Sequence, residues 1–178
     1  MIKLLAISGS LRQASANTAL LRAAIGIAPR GAEITLYEGV GQLPQFNPDI
    51  EHAAPPIVED LRNRLIACDG VIIASPEYAH GVPGAFKNAL DWVVGSVDLA
   101  GKPVALLNAS GRATHAQAAL AEIIMTMGWL IVNEASLVIP VAGKELDAAA
   151  ILADPALTGQ LHEAVGALLH AIEIGPPV

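Results

Sequence analysis

The sequence predicts an α/β protein in which a five-stranded parallel sheet is covered by helices on both faces. Short apolar runs without polar alternation recur along the chain, and such runs are typical of strands buried on both sides. Segments rich in Ala and Leu with helical spacing separate them, and the two patterns alternate about five times. The 178 residues, 53% of them hydrophobic, are enough for one domain over residues 1–178.

The first strand is predicted over Ile2 to Ser8, a continuous apolar run that ends at Gly9. The other strands are predicted at Glu33 to Tyr37, Val71 to Ala74, Val104 to Leu107 and Leu137 to Ile139. Helices are predicted at Thr18 to Ala28, Ile57 to Cys68, Pro83 to Val94, His115 to Met127 and Pro155 to Ile172. This count indicates a flavodoxin-like three-layer sandwich with sheet order 2-1-3-4-5, whose ligands bind beyond the carboxyl ends of the strands where the order reverses.

Charge and cysteine content exclude several classes of protein. Acidic residues outnumber basic residues 17 to 10 and the basic ones are scattered, so nucleic acid is not an expected partner. No apolar run approaches the ~20 residues that cross a bilayer, and the first run is too short for a secretory signal. The single cysteine, Cys68, excludes an internal disulfide and fits a reducing compartment, so we expect a cytoplasmic protein without membrane contact. The five histidines lack ligand spacing, and no metal is expected.

The loop after the first strand carries residue types that bind phosphate. Ser15 is placed to cap the next helix, whose start exposes unpaired amides and the positive end of the helix dipole. Arg12 would add a charged donor and Ser10 a hydroxyl. The glycine patterns of triphosphate and dinucleotide sites are missing, so a single phosphate is expected. An ordinary strand-to-helix turn with a capping serine and a solvated arginine is the alternative interpretation.

Two motifs at the ends of neighbouring strands resemble those of a known family. Residues 9–17 read Gly-Ser-x-Arg-x-x-Ser-x-Asn, and residues 76–92 contain Pro-Glu-Tyr followed by Pro-Gly-x-x-Lys-Asn-x-x-Asp-Trp. Together they resemble the NAD(P)H-dependent FMN reductase family, which includes chromate, quinone and azo-dye reductases. The resemblance extends from Lys3 to about Pro140.

The resemblance implies non-covalently bound FMN, with NADPH or NADH as co-substrate. It implies that the phosphate contacts Ser10, Arg12, Ser15 and Asn17, and that the isoalloxazine ring lies against Pro76, Glu77, Tyr78, Ala79, Ser110, Gly111 and Arg112. Members of the family are commonly dimers or tetramers. By resemblance, a homodimer or homotetramer is therefore expected through the helix around Lys87 to Trp92.

The reaction that the resemblance implies is hydride transfer from NAD(P)H through FMN to a small acceptor, such as a free flavin, a quinone, an azo compound or a metal oxyanion. Because the cofactor carries this chemistry, no catalytic side chain is predicted. Backbone amides from Glu77 to Ala79, with Arg112, would stabilise negative charge on the reduced ring. The alternatives are a flavodoxin-type electron carrier without NAD(P)H oxidation and a non-catalytic regulator on the same fold. Carriers usually enclose the ring between aromatics, whereas this loop offers Tyr78 and small residues.

Overall fold

Strands and helices alternate along the chain in the computed structural model, which describes residues 1–143 and 147–175. The strands are β1 (Ile2–Ser8), β2 (Ala32–Tyr37), β3 (Gly70–Ala74), β4 (Pro103–Leu107) and β5 (Leu130–Ile131). The helices are α1 (Ala16–Gly26), α2 (Pro56–Ala67), α3 (Gly84–Asp91), α4 (Thr114–Thr126), α5 (Ala148–Ala153) and α6 (Pro155–Ile174). Among these helices, none combines the length and the apolar character that spanning a bilayer requires.

All five strands are parallel and lie in the order β2-β1-β3-β4-β5, which confirms the predicted sheet. The register places Ser8 beside Ala74 and Ala74 beside Leu107. The three central strands therefore end at one level, and the loops that follow them leave the same edge of the sheet. This is the edge at which the order of the strands reverses, between β1 and β3.

The core lies in two layers because each central strand is apolar on both faces. Leu5 and Ile7 point to the layer formed with α2, α3 and α4, whereas Leu4 and Ala6 point to the layer formed with α1, α5 and α6. All four of these side chains are buried. The period-two alternation of a strand is hidden in the sequence, since both of its faces need apolar residues.

The fifth strand is not where the sequence predicts it. Leu130 and Ile131 pair with the start of β4, a 3-10 turn follows at Asn133–Ala135, and only then does the predicted segment Leu137 to Ile139 run beside Asn108. Asn108 donates to the Leu137 carbonyl at 3.0 Å and accepts from the Ile139 amide at 2.9 Å. The predicted segment is therefore a single bridge at the edge, and the paired strand is an earlier and shorter one.

A side chain completes the sheet where this edge is interrupted. The hydroxyl of Ser136 accepts a hydrogen bond from the Leu106 amide at 3.0 Å, in place of a strand carbonyl. The same hydroxyl donates to the Val132 carbonyl at 2.8 Å. The sequence-based prediction also omitted the six-residue helix α5, which Asp147 caps by accepting from the Ala150 amide at 2.8 Å.

Candidate functional site

The loops after β1 and β3 touch at Gly9. A Cβ atom at this position would lie 2.3 Å from Ser75 Oγ and 2.8 Å from Ser75 Cβ, closer than real Cβ atoms approach other atoms. The Gly9 amide also donates to the Ala74 carbonyl at 2.9 Å. The absence of a side chain thus allows the first loop to cross the end of β3, which brings the two sequence motifs together.

The first loop is tied to the start of α1 by hydroxyl groups. Ser15 has an extended backbone and accepts from the Thr18 amide at 3.3 Å, which confirms the predicted N-cap. Ser8 and Thr18 share a hydrogen bond of 2.8 Å between their hydroxyls. Further along, the Arg12 amide donates to Ser10 Oγ at 3.3 Å. These bonds fix the loop while the positive end of α1 faces the space beyond the sheet.

Two adjoining cavities lie at this edge of the sheet. The larger, of about 870 Å³, lies between the first loop, the start of α1, the loop after β3 and the start of α5. The smaller, of about 270 Å³, lies between the loops after β3 and β4. Asn17, Pro76 and Ala142 line both cavities, which therefore form one continuous site.

The structure brings most of the predicted site residues together. The larger cavity is lined by Ser10, Arg12, Ser15, Asn17, Pro76 and Tyr78. The smaller is lined by Asn17, Pro76, Glu77, Ser110 and Arg112, among others. Ala79 and Gly111 line neither cavity. Both lie in turns next to lining residues, Tyr78 and Ser110 respectively.

Tyr78 begins a tight hairpin turn that the sequence did not reveal. Its amide donates to the Gly81 carbonyl at 3.1 Å, and the Gly81 amide donates back to the Tyr78 carbonyl at 3.0 Å. The two central residues, Ala79 and His80, have φ angles of 49° and 60°, in the left-handed region that favours Gly and Asn. The Tyr78 amide is thus committed to the turn. Within residues 1–143 and 147–175, the amides of Glu77 and Ala79 donate no hydrogen bond and are available to a ligand.

The side chain of Glu77 points at α4. Its Oε2 accepts from the Ala116 amide at 2.9 Å, and its Oε1 lies 3.1 Å from His80 Nδ1. The Ala116 amide above all, with further contributions from His80 and His115, lowers the pKa of the Glu77 carboxyl below its usual value. Only the backbone of Glu77 is therefore left to face a ligand in the way that the resemblance implied.

Asn108 shapes the loop after β4 and was not among the predicted site residues. This buried side chain accepts from the Ser110 amide at 2.9 Å and donates to the Ala113 carbonyl at 3.1 Å, and it lines the smaller cavity. A polar residue directly after a buried apolar strand was the available signal, since Ser8 and Ser75 end their strands in the same way.

Asn17 shows that the site fits a polar ligand. Its Oδ1 atom is buried and has no hydrogen-bond partner in the described part of the chain, although it lies in the first turn of α1 between the two cavities. A buried polar atom without a protein partner is unusual, and an amide oxygen accepts, so a hydroxyl donor of a ligand would suit it. Together with the open end of α1 and the cationic Arg12, the site suits a group that carries a phosphate and hydroxyls, as FMN does.

The fold and the site define a class of protein. A parallel sheet of order 2-1-3-4-5 with its cavity where the order reverses is the flavodoxin-like arrangement. A similar solved structure is that of FerB, a flavoenzyme NAD(P)H:(acceptor) oxidoreductase from Paracoccus denitrificans. It matches with a TM-score of 0.83 at 27% identity, over 98% of this chain and 99% of that chain.

The sequence model of the NADPH-dependent FMN reductase family matches residues 2–144, and the chain belongs to that family. It is 37% identical to an NAD(P)H-dependent FMN reductase of Pseudomonas aeruginosa, over 86% of this chain and 85% of the relative. It is 31% identical to a quinone reductase of Escherichia coli, over 97% of this chain and 98% of the relative. The protein is accordingly an enzyme, an oxidoreductase that uses FMN and NAD(P)H. The electron-carrier alternative gains no support from these relatives.

Proposed function

We propose that this enzyme uses the two adjoining cavities to hold FMN and to reduce a quinone or a free flavin with electrons from NAD(P)H. The observation that carries the proposal is the buried, unpartnered Oδ1 of Asn17, which lies between the cavities at the open end of α1. The names of the relatives support quinones and flavins as acceptors. Azo compounds and metal oxyanions are further acceptors of the same kind, because a reduced flavin that is open to solvent reduces each of them.

The phosphate of FMN would bind at the first loop, held by donors from Ser10, Arg12, Ser15 and the side-chain NH2 of Asn17, while Asn17 Oδ1 would accept from a hydroxyl of the ligand. Arg12 is exposed at the rim of the larger cavity and supplies positive charge, while the α1 amides supply oriented donors. The ring would lie between two loops, which contribute Pro76, Glu77, Tyr78 and Ala79 on one side and Ser110, Gly111 and Arg112 on the other. The absence of a second phosphate-binding turn favours FMN over FAD.

When bound, FMN accepts hydride from the nicotinamide and delivers electrons to the acceptor. The protein's contribution is binding and orientation, and no side chain is assigned as an acid or base. The free amides of Glu77 and Ala79, with the guanidinium of Arg112, would stabilise negative charge at the ring. Tyr78 lines the larger cavity and is 49% exposed, so an acceptor would reach the ring from its side.

The deciding experiment is NADPH oxidation by the purified, FMN-loaded protein, with a benzoquinone and with free riboflavin as acceptors. We expect a yellow protein that oxidises NADPH and reduces either acceptor with ping-pong kinetics. FMN should also stabilise the fold by about 2.7 kcal/mol at a hundredfold excess over its dissociation constant. A colourless protein that takes up no FMN contradicts the assignment of the site. A yellow protein that leaves NADPH unchanged is an electron carrier or a regulator.

We also propose a homodimer or homotetramer that assembles through α3. Phe86 and Trp92 are buried within the chain, so the surface offered to a partner is formed by Ala85, Lys87 and Asp91. Lys87 and Asp91 form an ion pair along this surface. Sedimentation at micromolar concentration tests the assembly, and a monomer contradicts it.

A cytoplasmic location and a single domain over residues 1–178 belong to the same proposal, although residues 144–146 and 176–178 lie outside the described part of the chain. Two apolar layers that share one sheet support the single domain. Limited proteolysis tests it, because two domains would yield two stable fragments.

A further inference from the structure

The amino end of α4 has no cap from its own loop. Ala113 occupies the N-cap position and has no side chain that accepts a hydrogen bond, so the amides of the first turn need another partner. Glu77, 39 residues earlier in the sequence, supplies it by accepting from the Ala116 amide at 2.9 Å. The loop after β3 is thereby joined to the helix that follows the loop after β4.

A second contact fastens the hairpin turn to the same place. Glu77 Oε1 lies 3.1 Å from His80 Nδ1, and the His80 ring meets the His115 ring edge to face, with centroids 4.6 Å apart. The Glu77 side chain is only 14% exposed, whereas His80 is 77% exposed. Glu77 is therefore the inner member of the cluster, enclosed by its own loop and by α4.

The turn itself is strained. Ala79 and His80 both adopt left-handed backbone angles, which cost energy for residues other than glycine. Such strain persists where the surrounding structure imposes it, and it is concentrated at functional sites. Two backbone hydrogen bonds between Tyr78 and Gly81 close this turn, and the contacts of Glu77 and His80 join it to α4.

We propose that Glu77 is a positioning residue of the flavin site. Its carboxylate joins the loop after β3 to the amino end of α4, a contact called the clasp below, and so sets the spacing between Tyr78 and Arg112. The inference rests on the proposed function, because it takes the ring to lie between these two loops. The clasp also places a negative charge at the positive end of α4. A phosphate is consequently repelled from α4 and directed to α1, which Ser15 caps without charge.

The contact between Glu77 and α4 is strongest when the carboxylate is ionised. Among the described residues, the Glu77 carboxylate is faced by His80 from its own loop and by His115 from α4, and Arg112 lines the same smaller cavity as Glu77. Protonation of Glu77 removes the charge that attracts the α4 amides and His80. Ring binding should therefore weaken as the pH falls through the lowered pKa of Glu77, and this loss should be absent in a Gln variant.

The test compares Glu77→Ala with Asp154→Ala, two losses of a carboxylate that caps a helix. Asp154 caps α6 by accepting from the amides of Ala156 at 2.9 Å and Leu157 at 3.2 Å, and it lines neither cavity. We expect Glu77→Ala to weaken FMN and riboflavin by the same factor, roughly threefold to tenfold. It should also change the visible circular dichroism of bound FMN and lower kcat more than it raises KM. Asp154→Ala should lower Tm and leave these flavin properties unchanged.

Two further variants complete the design. Glu77→Gln retains an acceptor for Ala116 but not the charge, so it should recover only part of both flavin affinities at neutral pH, and its affinities should stay constant on the acid side. If Glu77→Ala does not fold, His80→Ala removes the outer contact from an exposed position and should produce the same shift in circular dichroism at smaller amplitude.

The proposal is wrong if Glu77→Ala has the same flavin affinities and the same visible circular dichroism of bound FMN as Asp154→Ala. Glu77 would then be a structural cap only. If Glu77→Ala does not fold, the proposal is wrong when His80→Ala leaves the visible circular dichroism of bound FMN unchanged. A failure of the wild type to bind FMN is a different result, because it refutes the proposed function itself.

Discussion

The starts of α1 and α4 lie at the same edge of the sheet and are closed in opposite ways. Ser15 caps α1 with a neutral hydroxyl from three residues before Thr18, whereas Glu77 caps α4 with a carboxylate from another loop. The first end keeps its positive dipole and opens onto the larger cavity. At the start of α4, the carboxylate of Glu77 offsets the positive end of the helix dipole. The start of a helix is thus either left open to a cavity or used to anchor another loop, depending on where its cap comes from.

The largest effect that this difference predicts is at Arg12. Arg12→Ala should weaken FMN roughly ten- to a hundredfold, because a charge-assisted hydrogen bond contributes about 1.5–3 kcal/mol. Riboflavin lacks the phosphate and should bind the wild type and the variant equally. Turnover at saturating FMN should return close to that of the wild type, and flavin titrations followed by fluorescence measure the affinities.

Arg112→Ala is the matched control at the other loop, and it should not distinguish FMN from riboflavin. Equal losses of both flavins in Arg12→Ala would indicate a collapsed first loop. Normal FMN binding with lost turnover would place Arg12 against the substrate instead of the phosphate.

The contact between the loops after β1 and β3 should not tolerate a side chain at Gly9. Gly9→Ala is expected to lower the free energy of unfolding by about 1–3 kcal/mol, because the new Cβ overlaps the Ser75 side chain. Gly111→Ala is the control, since its nearest neighbour would be Val138 Cγ1 at 3.8 Å, and it should change stability by less than about 0.5 kcal/mol. Urea denaturation measures both, and equal effects would show that the two loops do not touch as described.

The contributions of the Ser15 and Glu77 caps to the free energy of unfolding should depend differently on pH. Ser15→Ala should cost about 1 kcal/mol at every pH, because a hydroxyl does not titrate in this range. Glu77 has a lowered pKa in the folded protein, so its charge stabilises the fold fully above the ordinary carboxyl pKa of about 4.3. That contribution is lost as the pH falls through the lowered value. The stability difference between the wild type and Glu77→Gln should therefore shrink in acid, and a difference that persists there would contradict the ionised cap.

The smallest expected effect is at the strained turn. Ala79→Asn should raise the free energy of unfolding by a few tenths to about 1 kcal/mol, because Asn tolerates the left-handed region better than Ala does. Ala100→Asn is the control: it is exposed, has a φ of −60°, and should gain nothing. Thermal melts distinguish the two variants. A loss of stability in Ala79→Asn would mean that the turn does not adopt these angles.

The sequence predicted those features that depend on neighbours along the chain. Apolar runs indicated β1, β3 and β4, an alternating pattern indicated the edge strand β2, and periodic segments indicated the described helices except the short α5. The cap at Ser15 followed from its position before a helical pattern. The cluster of most site residues followed from the rule that parallel strands end at one edge. Apolar patterns and helix caps are local signals, and the position of the site follows from the parallel topology that these patterns predict.

Tertiary structure decided the remainder, because it depended on contacts between distant residues. The fifth strand is set by two residue pairs with β4 and by the hydroxyl of Ser136, neither of which has a periodic signature. The direction of the Glu77 side chain depends on an uncapped helix 39 residues away. The left-handed turn at Ala79 lacks the Gly or Asn that would have indicated it, and the hydrogen bonds between Tyr78 and Gly81 and the contact of His80 with His115 hold it instead. A sequence shows which polar groups need hydrogen-bond partners, whereas the fold determines which residues lie close enough to supply them.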